Sequence, residues 1–402
     1  MTALRASLGG IACSPGRAAR GLSLAVGLVA STAGCFGDDP EKPPPVSAPP
    51  AAAPGPGFAA KMVLVATTER TPLTLALLSV DERTGALGLL PGSPIDVGAQ
   101  TGDFETLAVD VARRRVFVGG SNNGRIAVVT VDGRGAVKPV PGSPFIAQGR
   151  PSALALSHDG RFLWVGHEGP GISAYAVHVE TGALSPVEGS PFTLPGRHVE
   201  NLLLSGDWLF VGCRVGSYVA ALRVDRQTGK LALAGEPVLT EPRPDHLRVI
   251  GDRLYCSLAE ASAIDAFAID RASGALARLP GAPYRVPGLK DYELIEVHPD
   301  GKTIAAGVCE PPCVALFDVE EDGSLASKGS PAALHGGLGG PEGMEWSRDG
   351  RFLYVASHLE SADGIYVLEY LGPSLVPADP FRYRIVAGGQ IDLALVPLEV
   401  AP

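Results

Sequence analysis

The stretch SALALSHDGRFLWVGHEGPGISAYAVHVETGALSPVEGSPF, residues 152–192, decides how the chain reads. Apolar residues alternate through SALALS, RFLWVGH, ISAYAVHVE and ALSPVEGSPF, the pattern of half-buried strands. Between the runs stand HDG and TG, pairs in which Gly accepts the positive φ of a tight turn. The unit is therefore four strands, a to d in chain order, in about forty residues.

Strand a recurs along the chain as ETLAVD (105–110), SALALS (152–157), ENLLLS (200–205), DHLRVI (245–250), ELIEVH (293–298) and EGMEWS (342–347). Successive copies start 47, 48, 45, 48 and 49 residues apart, and a further step of 49 lands on IDLALV (391–396). The turns repeat as SHDGR, HPDGK and SRDGR, and strand d is marked by PGSPI, PGSPF, EGSPF and PGAPY. A four-stranded repeat of this period is the mark of a β-propeller blade. The first copy, MVLVATT (62–68), LTLALLSVDE (73–82) and LGLLPGSPI (87–95), lacks strand a. The expected fold is all-β: a seven-bladed propeller whose C-terminal strand (about 391–397) completes the N-terminal blade (about 62–95). That closure hides an apolar strand that would otherwise be an open edge.

The domain reading follows from composition. Residues 1–34 resemble an export signal, with Arg5, Arg17 and Arg20 ahead of the apolar run GLSLAVGLVASTAG. The run ends in Thr32-Ala33-Gly34-Cys35, which resembles a bacterial lipobox and makes Cys35 the expected lipidation site; an ordinary secretory signal is the alternative. Residues 35–61, rich in Pro and Ala, cannot build a core and suit a tether. The propeller is expected over 62–398, in the bacterial cell envelope, held to the membrane by lipid on the periplasmic or outer-membrane side. A net charge of −10 without a basic stripe argues against nucleic acid. A monomer is expected. Cys309 and Cys313 bracket the Pro-Pro of CEPPC and are expected to form a disulfide in an oxidising compartment, whereas Cys213 and Cys256 read as small core residues.

Strand a begins, and strand b ends, on one face of the ring, so d–a connections and b–c loops share a mouth. The first position of strand a reads Glu105, Ser152, Glu200, Asp245, Glu293, Glu342 and Ile391. Two residues earlier come Asp103, Arg150, His198, Arg243 and Asp291, and the b–c loops add His167-Glu168, Arg214, Glu260, Glu310 and His358. Converging charges in a concave site are the usual form of a ligand pocket. Clustered carboxylates need a raised pKa or a cation such as calcium among them; alternatively each acid caps backbone amides or faces channel water. Glu105, Asp245, Glu342, His167 and His358 are the expected ligand-binding residues. His158 and His298 fall in turns on the far face, and Tyr175, Phe210, Tyr255 and Tyr354 read as inter-blade packing. No G-x-S-x-G elbow, H-E-x-x-H helix or P-loop occurs, which disfavours serine hydrolase, zincin and nucleotide chemistry.

Units such as SHDGRFLWVGHEGPGISAYAVHVETGALSPVEGSPF resemble the blades of lactonase-type seven-bladed propellers, the family of cycloisomerase-like 6-phosphogluconolactonases and YVTN-type repeats. The resemblance spans about residues 62–398. It implies a lactone hydrolase working in the central funnel, with His and Arg at the beginnings of some inner strands. In that register the chain carries Ser152, Asp245-His246 and, two residues early, Arg197-His198. Two functions follow as expectations. One is a module that binds a small molecule or partner at the funnel. The other is a sugar-lactone hydrolase, with Glu200 or Glu293 as base, and Arg150, Arg197, Arg243 and His198 around an anionic substrate or oxyanion.

Overall fold

The computed structural model of the protein describes residues 62–68, 74–100, 106–334, 340–357, 364–378 and 390–398. They form seven antiparallel sheets arranged as blades, without a helix. Blade 1 runs, from inside outward, Gln390–Pro397, Met62–Thr68, Thr74–Val80 and Leu87–Leu89. Val63 lies opposite Val396 and Val65 opposite Ala394, so the last strand is strand a of the first blade, as the repeat arithmetic requires. The other inner strands are Leu107–Asp110, Pro151–Leu156, Arg197–Ser205, Pro244–Ile250, Lys290–Val297 and Pro341–Trp346, for blades 2 to 7. Neighbouring inner strands touch all round the ring, and Gln390–Pro397 meets both blade 7 and blade 2.

The repeated turns have a shared chemistry. In SHDGR, Ser157 Oγ donates to Asp159 Oδ1 at 2.7 Å and accepts from Phe162 N at 2.9 Å, while Arg161 N donates to the same carboxylate at 3.0 Å. SRDGR repeats this through Ser347 and Asp349, at 2.7, 2.9 and 3.1 Å. In the GSP signature the Ser hydroxyl accepts a strand-c amide: Leu77 to Ser93 at 2.7 Å, Val128 to Ser143 at 2.9 Å and Ala174 to Ser190 at 2.8 Å. That bond bridges a gap in strand d, which pairs with strand c again at Ile95–Asp96 and Phe145–Ile146 as it runs on toward the mouth.

Apolar side chains of adjacent blades interleave. Trp164, Phe210, Tyr255 and Tyr354 are fully buried. Trp164 Nε1 donates to the Gly229 carbonyl at 3.0 Å and Tyr255 Oη to that of Gly323 at 2.9 Å, in each case in the c–d turn of the next blade. Gly229 sits at φ +73°, and a Cβ there would lie 2.4 Å from the Phe162 ring, so this turn admits only glycine. Residues of the inner strands line a cavity of about 140 Å³, among them Leu107, Leu154, Asn201, His246, Arg248 and Leu393.

One expectation fails. Cys309 and Cys313 are free thiols. The hairpin pairs Cys309 with Pro312 and Val308 with Cys313. Residues opposite one another share a face and sequence neighbours do not, so the two thiols project from opposite faces of blade 6. Cys213 and Cys256 are buried, as expected.

Candidate functional site

In blades 3 to 7 the pairing of strand a with strand b slips by one residue at the start of strand a, between Pro151 and Ala153, Val199 and Asn201, Pro244 and Leu247, Tyr292 and Leu294, and Pro341 and Gly343. These bulges fall on Ser152, Glu200, Asp245-His246, Glu293 and Glu342, the register positions carrying the arc. A bulge re-aims a side chain without ending the sheet. Just before it, His198 (φ 65°), Arg243 (φ 60°) and Asp291 (φ 60°) occupy left-handed backbone, where a β-carbon is costly. Three consecutive blades thus present a strained residue and a bulged acid to the mouth.

In blade 4, Glu200 is buried and accepts from Arg214 Nη1 at 3.2 Å, while His198 Nε2 lies 2.8 Å from its other oxygen. In blades 5 and 6 one guanidinium gathers three carboxylates. Arg243 Nε is 3.2 Å from Asp245 Oδ2, Nη2 donates to Glu293 Oε2 at 2.9 Å, and Nη1 is 3.9 Å from Asp291 Oδ1. Asp245 and Glu293 are also hydrogen-bonded to each other. Burial, then the charges of Glu200 and Glu293, hold the Asp245 carboxyl well above the usual carboxylate range despite Arg243. Burial also raises Glu293, with Asp291 adding repulsion, so both carboxyls of the pair are pushed toward their protonated forms. Burial likewise raises Asp291. The two clusters are electrostatically in contact, since Glu200 acts on Asp245, Glu293 and Arg243.

The remaining expected residues fall in distinct places. Arg150 is exposed, pairs with Glu168 at 3.1 Å and donates to the Ser121 carbonyl at 2.8 Å. Arg197 is exposed, and makes no ion pair among the described residues. His167 lies inside rather than on the rim. It is buried, with Nε2 2.6 Å from Ser173 Oγ, and desolvation pushes its pKa down to about 4, which keeps it neutral. Glu342 is half-buried at its register position. Glu105 and His358 lie outside the described residues.

Asp291, Glu293 and Cys309 bring one potential ligand atom each within 4.8 Å of one another. Calcium prefers six to eight oxygens, whereas this set offers two carboxylates and a thiol, and Arg243 already supplies positive charge. Cys309 was missed as a mouth residue because CEPPC reads as a hairpin tip. Also missed was a second polar group in the channel. Arg248 Nε donates to Glu296 Oε2 at 2.8 Å. Beside them burial and Glu296 push Glu345 up to about 8. The available signal was a charged residue at the fourth position of an otherwise apolar strand a, in three consecutive blades.

Comparison with known proteins agrees with this architecture. Residues 137–243 match the family described as "Lactonase, 7-bladed beta-propeller". No curated protein sequence matches the chain. The periplasmic gluconolactonase of Pseudomonas aeruginosa superimposes with a TM-score of 0.69 at 20% identity, covering 84% of this chain and 99% of that one. A candidate 6-phosphogluconolactonase from Bacteroides fragilis gives 0.68 at 16% identity, over 84% and 98% of the two chains. A hypothetical selenium-binding protein from Sulfolobus tokodaii gives 0.61 at 14%, over 84% and 93%. At these identities the superpositions establish the shared fold alone. With its blade signature and closed ring, the chain is a seven-bladed β-propeller that matches the lactonase family over residues 137–243.

Proposed function

We propose that the mouth of this propeller binds a small sugar-derived lactone and opens it by hydrolysis. The supporting observation is the neighbourhood of two unlike groups: His198 Nε2 2.8 Å from Glu200, and the Asp245 carboxyl, which burial pushes toward its protonated form beside Glu293. An imidazole and a carboxyl in such different surroundings can divide the roles of base and acid. Glu200, fixed by Arg214, orients the His198 imidazole, which takes a proton from water as that water attacks the lactone carbonyl. As the ring C–O bond breaks, Asp245 delivers its proton to the departing alkoxide, and the product is the open hydroxy acid. Arg197, exposed at the start of strand a, is the cation left to meet the carbonyl oxygen. The superposition on a periplasmic gluconolactonase adds weight to this substrate class.

The test is proton release from δ-gluconolactone and its 6-phosphate by the purified protein. Turnover above the water rate, reduced at least a hundredfold by His198→Gln and by Asp245→Asn, is expected. Hydrolysis at the uncatalysed rate, or undiminished in both variants, would refute the reading. One observation favours a second function, binding without turnover: Arg243, the best-placed cation, is committed to three carboxylates. Calorimetric binding of gluconolactone without proton release would select it.

We also propose that the domain works in the cell envelope, carried there by residues 1–34 and held by lipid on Cys35. The lipobox-like Thr32-Ala33-Gly34-Cys35 and the Pro/Ala-rich segment behind it support this.

A further inference from the structure

Behind the His198–Glu200–Arg214 group lies a small buried cluster of Cys213, Tyr218 and Ala220, separate from the large inter-blade cores. Cys213 and Tyr218 face each other as a cross-strand pair on either side of the b–c hairpin. Tyr218, 3% exposed, donates its hydroxyl to the Pro195 carbonyl. The Cys213 thiol, 1% exposed, donates to the Arg197 carbonyl at 3.3 Å. These two carbonyls bracket Gly196, at φ +88°, where a Cβ would lie 2.6 Å from the Val215 oxygen and 3.2 Å from Cys213 Sγ. The next residue after Arg197 is His198, in left-handed backbone. Its own amide donates to the Gly169 carbonyl at 3.4 Å. On the hairpin side, Cys213 immediately precedes Arg214, which clamps the other Glu200 oxygen at 3.2 Å.

We propose that Tyr218 and Cys213 are positioning residues. By holding the Pro195 and Arg197 carbonyls from behind, they set His198 against Glu200 and keep the Arg214 hairpin in register with it. Neither touches the mouth. Left-handed backbone at a residue with a β-carbon persists only where its surroundings over-determine it, and these donors are the buried side chains that fix the carbonyls before it. Removing one hydroxyl or thiol takes a buried donor away from one of these carbonyls, and the peptide is then free to relax toward ordinary φ. His198 would swing away from Glu200. The proposal rests on reading this group as the functional part of the mouth, but its test does not require turnover.

The His198 ring, set 2.8 Å from the Glu200 carboxylate, should give one sharp imidazole Cε1–H resonance at a fixed position, identified by its absence in His198→Gln. Tyr218→Phe and Cys213→Ala should each lose or broaden it in protein whose melting curve is still cooperative. Cys213→Ser, which restores a donor to the Arg197 carbonyl, should retain it. Where gluconolactone is turned over, kcat should fall on the order of tenfold with KM little changed, as expected for a misplaced base. A wild-type protein without the resonance, or Tyr218→Phe and Cys213→Ala both retaining it at the wild-type position, would overturn the proposal. If Tyr218→Phe does not fold, Cys213→Ala decides alone. Loss of the resonance in a wild-type background that hydrolyses no lactone would leave the positioning role standing and remove the hydrolase reading.

Discussion

Replacing Leu393 in the last strand and Leu398 just after it by Ala should cost this ring most of its stability. Leu393 packs between blades 7 and 1 with Leu78, Tyr354 and Ile365, whereas Leu398 packs with Val396, Val116 and Val129 between blades 1 and 2. One strand thus joins two separate cores. The two side chains are 5% and 3% exposed, and a buried Leu→Ala change costs roughly 2–5 kcal/mol. Because the residues belong to different clusters, the costs should add, to about 4–10 kcal/mol. Domains have about 5–15 kcal/mol in total. Leu398 also places the carbonyl that Arg114 Nη1 reaches at 2.9 Å, so displacement there is felt in blade 2. Urea unfolding followed by tryptophan fluorescence would measure this, with each single variant giving about half the shift. Deleting residues 390–402 should leave no soluble native protein. A double variant with the wild-type midpoint, or a soluble and cooperatively melting truncation, would refute the closure argument.

Three further outcomes are expected. Glu345 is raised to about 8, so its contribution to stability is complete below the unfolded pKa of roughly 4.3 and is lost as pH rises through 8. Glu345→Gln should therefore melt above the wild type at pH 9 and close to it at pH 5, and equal melting temperatures at pH 9 would show that burial and Glu296 do not press on it. Mass spectrometry after alkylation of the denatured, unreduced protein should find Cys309 and Cys313 both modified; an unmodified pair would restore the disulfide. Cys35→Ser should move the protein from the membrane fraction to the soluble fraction with its melting temperature unchanged, and a membrane-bound variant would remove the lipid anchor.

The ring was legible in the sequence because its cause is periodic. Each blade must bury two faces with one turn chemistry, so strand a, the Asp-Gly turn and the GSP signature return at nearly constant spacing. The missing first strand and the apolar last one then had one solution. The arc of acids was legible as a register column, but its contacts were not. The meeting of Arg243 with Glu293 depends on how one blade is rotated against the next and on a bulge that leaves no residue signature. His167 looked like a rim residue because a loop follows it, yet the last position of a strand b can still point into the blade. The cysteine error has the same origin. Four residues apart suggests a bridge across a hairpin, and the exact turn decides whether the thiols share a face.

The direction of strand b in blade 1 has a consequence for how the domain would be presented. Met62 pairs with Pro397 and Thr68 with Gln390, so the chain enters the ring at the rim opposite the mouth. The tether proposed above would join the domain at that rim. An extended Pro-rich segment advances about 3.1 Å per residue, so residues 35–61 allow a leash on the order of 80 Å. On the proposed lipid anchor, such a leash would leave the funnel free to sample solutes well away from the anchoring surface.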